Sequence, residues 1–152
     1  MPVATPQIRN VARRIISDEL RTNKSSEGKI QSYFSACEKL RLELTTYTGN
    51  GGFRALLSRA LALAKAEVPW LRTVQVNANG TLEEVEGAKE LHAQHATDER
   101  FEGRVVLLAQ LLGLLVAFIG ENLTLRLVRE VWPKALLDES DFGSRGKNEK
   151  TR

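Results

Sequence analysis

Residues 105–119 read VVLLAQLLGLLVAFI, a run in which Gln110 is the single polar side chain. A helix drawn through this run is apolar all round, the mark of a helix enclosed by others. It would span roughly 22 Å, short of the roughly 30 Å hydrocarbon core of a bilayer. Lengthening it brings in Arg104 on one side and Glu121 and Arg126 on the other. The run is therefore read as the central core helix of a soluble domain, with a membrane-associated helix as the lesser alternative. Ala109, Gly113 and Ala117 recur every fourth residue and leave a ridge of small side chains that a neighbouring helix can approach closely.

Downstream, Gly120 and Asn122 read as the end of this helix and the cap of the next, in which Leu123, Leu127, Val128 and Val131 face inward until Trp132-Pro133 closes the run. Past residue 137 the chain is charged, with Phe142 its one large apolar residue, so residues 138–152 are expected to be a disordered tail and residues 1–137 a single helical domain.

Upstream, residues 83–102 are acidic, with a thin apolar edge that predicts a short surface helix near residues 88–94 and the start of the core helix near Glu99. Before that stretch the period shifts to two. Val74 and Val76 alternate with Thr73 and Gln75, and Asn79-Gly80 separates them from Thr81-Leu82. Asn-Gly between alternating segments predicts a hairpin.

Three helical patterns precede it. Thr5-Pro6 supplies a cap and a proline at the first helical position. Ile8, Val11, Ala12, Ile15, Ile16 and Leu20 then form a stripe opposite Arg9, Arg13, Asp18 and Arg21. A second helix is expected from Ser25 or Ser26 to about Thr48. Its apolar positions Ile30, Tyr33, Cys37, Leu40, Leu44 and Tyr47 are separated alternately by three and four residues. That is an a/d seam, and it needs a partner helix from this chain or from a second copy. Gly49-Asn50-Gly51-Gly52 stops the second helix, and a third runs from Phe53 to about Glu67, burying Phe53, Leu56, Leu57, Ala60, Leu61 and Ala64 until Pro69 ends it. The fold class is mainly α: a bundle of about five helices carrying a small two-stranded β-hairpin.

The 152 residues suit one domain with a substantial core, and the hydrophobic fraction of 42% and charged fraction of 27% are ordinary globular values. A net charge of +3, with both signs interspersed, is only mildly basic. A dedicated nucleic-acid binder more often shows a basic face with few acids among it, so charge alone is neutral on that partner. Cys37 is the only cysteine, so neither an intrachain disulfide nor a cysteine-based zinc site can form. Residues 1–10 lack the apolar run of a secretory signal, so the expected location is cytoplasmic and the sequons at Asn79 and Asn122 are coincidental.

Each candidate for chemistry meets a plainer reading. His92 and His95 could share a metal with Glu90 or Asp98, but they stand in a stretch expected to be exposed. Cys37 occupies an apolar seam position, where cysteine acts as a small hydrophobe. The glycine run before Phe53-Arg54 could hold an anion at a helix start, yet it lacks the Lys-Ser/Thr and the preceding strand of a P-loop. Arg9, Arg13, Arg14, Arg21 and Lys24 make the first helix locally basic, offset by Asp18 and Glu19. Trp70 and Trp132, each beside a proline, read as anchors at the core edge.

No catalytic residue set, cofactor site or metal site emerges. The reading preferred from sequence is a non-catalytic regulatory or adaptor domain acting through protein–protein interaction and self-associating as a homodimer, with Ile30, Tyr33, Cys37, Leu40, Leu44 and Tyr47 as the interaction surface. The alternatives are a helical sensory domain holding a small apolar ligand beside Ala109 and Gly113, and, more weakly, nucleic-acid binding through the basic first helix.

Overall fold

The computed structural model describes residues 5–22, 35–78, 80, 82–84 and 97–133, and the chain is mostly helical over them. Four α-helices are present among the described residues: α1 (Pro6–Thr22), α2 (Ser35–Glu67), α3 (Thr97–Ile119) and α4 (Glu121–Val131). A 3-10 helix (Pro69–Thr73) follows α2 and leads into strand β1 (Val74–Val76), which pairs antiparallel with β2 (Leu82–Glu84) in the register Val74 to Glu84 and Val76 to Leu82.

The apolar run identified at the outset lies in α3 and occupies the centre. From Val105 to Leu112 every side chain is buried, and α3 packs chiefly against α2 and α1, then against α4. Phe101–Ile119 is long and apolar enough to cross a membrane, and here 67% of its membrane-length window is buried inside the chain. Helix α1 begins as its sequence predicts: the Ile8 amide donates to Thr5 Oγ1 at 3.2 Å, an N-cap bond, and Ile8, Val11, Ala12, Ile15 and Ile16 enter the core.

Helix α2 differs from expectation in an instructive way. The glycine run does not separate two helices by a loop. Gly49 alone leaves the helical region, at φ 76° and ψ 164°, and helix resumes at once. Only glycine adopts that region without strain, so a single residue makes the bend. Phe53, Leu57, Ala60, Leu61 and Ala64 of the second half join the core. The hairpin tip rests against the bend: a Cβ at Gly80 would lie 3.7 Å from both Asn50 Oδ1 and Phe53, and 3.8 Å from Arg41 Cδ.

At the other end of the fold, Asn122 was expected to cap α4. Gly120 holds that position instead, at φ 93° and ψ 159°, and Asn122 lies exposed within the first turn. Because α3 ends at Ile119, one glycine turns the chain and leaves no linker in which Asn122 could serve. Thr124 is buried without penalty, since its Oγ1 donates to the Gly120 carbonyl at 2.7 Å. The helix expected near residues 88–94, the start of the second helix before Ser35 and the tail from residue 138 lie outside the described residues.

Candidate functional site

The seam on α2 was the first candidate. Ile30 and Tyr33 lie outside the described residues. Cys37, Leu40 and Leu44 are buried in the chain's own core, whereas Tyr47 is 52% exposed. Those three central positions are therefore satisfied within the chain and do not offer a free face.

Among the described residues, the large apolar side chains that stay open are Leu42 at 64%, Tyr47 at 52% and Phe118 at 62%. Leu42 stands between Arg41 and Glu43 on the charged side of α2, an apolar residue out of pattern that sequence reading passed over. Phe118 sits at the end of α3, where a run apolar all round gives no sign of which side meets solvent. On the ridge of small residues, Ala109 and Gly113 are buried and Ala117 is exposed.

Two carboxylates join helices, one of them inside the fold. Glu19, expected only as a charge offset on α1, is buried. Its Oε2 accepts from Lys39 Nζ of α2 at 2.6 Å and from Trp132 Nε1 beyond α4, also at 2.6 Å. Its side chain is 4% exposed against 43% for Lys39, so the lysine closes the junction from the solvent side. Asp18, expected on the solvent side of α1, is likewise buried, as is Arg104 on α3, and each has a partner.

A second junction involves Glu67, whose Oε2 accepts from Arg9 and from Gln110 Nε2, both at 2.8 Å. The Arg9 hydrogen bond holds the Glu67 carboxyl below its ordinary value, against the opposing effect of partial burial. Gln110, the one polar residue of the central run, thus ties α3 to the end of α2. Arg13 reaches Glu102 at 2.6 Å and lies 5.7 Å from the centre of the Phe101 ring, linking α1 to α3 at the surface.

Burial and the nearby Glu38 push the Cys37 thiol up to about 12, so it stays protonated and a poor nucleophile at neutral pH. Among the described residues no three His, Cys, Asp or Glu side chains converge as metal ligands, and His92 and His95 lie outside those residues. Trp132 is buried, and Trp70 falls in the 3-10 helix. Compared with known protein families, curated proteins and solved structures, the chain matches none.

Proposed function

We propose that the chain is a non-catalytic regulatory or adaptor domain, cytoplasmic in location, that works by protein–protein contact and associates with itself as a homodimer. The observation that carries this reading is the exposure of Leu42, Tyr47 and Phe118. Aromatic side chains such as Tyr47 and Phe118 are enriched at protein interfaces, and Leu42 adds apolar area beside them in this reading. Buried Glu19 and the Gln110 amide nitrogen are occupied in joining helices, and this reading relies on contact through the surface. The same reading takes the whole fold as a bundle of about five helices with a small two-stranded β-hairpin.

Nucleic acid is not the proposed partner. Arg9 and Arg13, from the basic side of α1, are paired with Glu67 and Glu102, which offsets the charge a phosphate backbone would need.

Charge placed at the exposed positions tests the proposal. Leu42→Glu and Phe118→Asp should each lower the solution mass of a self-associating chain while leaving its helical circular dichroism unchanged. A mass and concentration dependence identical to wild type in both variants would remove these side chains from the interface.

A further inference from the structure

We propose that Gly49 is a hinge through which two copies of the chain exchange α1 together with the first half of α2, the two halves of α2 straightening into one helix. The proposal rests on the self-association reading and names the route by which the dimer forms.

Three observations carry it. Helix α2 is helical on both sides of one non-helical residue, so restoring Gly49 alone to helical values yields a continuous helix over Ser35–Glu67, about 50 Å long. A Cβ at Gly49 or Gly51 would meet nothing within 4 Å, so close packing against these residues does not wedge the bend. Finally, the side-chain links are partitioned about the hinge. Lys39–Glu19 joins α1 to the first half of α2 and would travel with the exchanged part. Arg9–Glu67, Arg13–Glu102 and Trp132–Glu19 all cross from that part to the remainder of the chain.

In an exchanged pair each crossing link re-forms between chains with its partners unchanged. The bent monomer and the exchanged dimer then share their core contacts and differ at the hinge and where the two copies newly meet, the contact assigned above to Leu42, Tyr47 and Phe118. Shared core contacts are the condition under which exchange between copies costs little. The hairpin tip at Gly80 lies near Arg41 before the bend and Asn50 and Phe53 after it, leaving room for no more than a methyl group, and this proximity favours the bent form.

Gly49→Ala separates the two forms. In the bent chain the alanine occupies backbone space that only glycine tolerates, whereas in the straight helix it is preferred to glycine. The dimer association constant, read by light scattering, should rise by at least about tenfold.

The connectivity is read by placing Arg13→Cys and Glu102→Cys together and bridging the two thiols with a short bis-maleimide. Cys37 is buried and protonated and does not compete. Exchange predicts covalent dimers on denaturing gels, because the two positions then belong to different chains.

A dimer bridged only within chains overturns exchange and leaves self-association standing. A Gly49→Ala chain that keeps its helix content and stays monomeric also overturns it. Should Gly49→Ala fail to fold, the bridging pattern of the otherwise wild-type pair, taken where light scattering gives a dimer, decides in the same way. A wild-type chain that is monomeric at every concentration overturns self-association itself.

Discussion

Trp132 Nε1 donates to Glu19 Oε2 at 2.6 Å across 113 positions of sequence, and the same oxygen accepts Lys39 Nζ. One buried carboxylate therefore closes the bundle at three places: the end of α1, the first half of α2 and the exit of α4. A buried carboxylate is tolerated only when it is charge-compensated and hydrogen-bonded, and Glu19 has both.

Removing that acceptor strands the indole N–H in the core while Lys39 returns to water. Glu19→Ala should cost about 2–3 kcal/mol of stability, and Glu19→Gln less, because its amide oxygen still accepts from Trp132. Urea unfolding followed by tryptophan fluorescence measures both; equal stability of Glu19→Ala and wild type would refute the junction.

Two glycines with open space around them should respond oppositely to alanine. At Gly120, φ 93° strains any side chain, so Gly120→Ala should destabilise by about 1–3 kcal/mol. Gly51 lies within α2 at helical values, and Gly51→Ala should stabilise by up to about 1 kcal/mol. Thermal melts that show the same sign for both would contradict the assigned backbone conformations.

Cys37 makes the fold sensitive to alkali. Its folded thiol titrates near 12 against an ordinary 9.0, so its contribution is complete below pH 9 and is lost as pH rises from 9 through 12. The span corresponds to about 4 kcal/mol as an upper figure. Cys37→Ala should flatten the stability curve over this range, despite a lower plateau from the lost packing.

Glu67 acts in acid. Its folded carboxyl is held below 4.5, chiefly by Arg9, so its contribution is present above that pH and is lost as pH falls through the folded value. The group is partly exposed, and solvent screening keeps the effect within about 1 kcal/mol. Glu67→Gln should shallow the acid limb below pH 4.5; an unchanged limb would mean the Arg9 pairing contributes nothing in solution.

Much of this architecture was legible because local signals coincided. The cap at Thr5, the stripe Ile8 to Ile16 and the all-apolar run of α3 each carry a helical period that a single segment displays unaided. The bend at Gly49 was legible as an interruption, but not as one continued by helix, because a glycine run is equally suited to a loop. The polar junctions were hidden for a different reason. Gln110 and Glu67 are 43 positions apart, and nothing local to either marks the other as its partner. Glu19 and Asp18 read as solvated charges on α1 until Lys39, Trp132 and the surrounding helices were packed around that end. The period of the seam does not say which chain supplies its neighbour; for Cys37, Leu40 and Leu44 the neighbours lie in the same chain.

Self-association is tested by the light-scattering mass of the wild-type chain eluting from a sizing column over a wide range of loaded concentrations. Self-association predicts a mass that climbs from the 16.9 kDa of one chain toward twice that value and is lowered again by Phe118→Asp. A mass fixed at one chain throughout, with no binding of a hydrophobic dye, would rule self-association out.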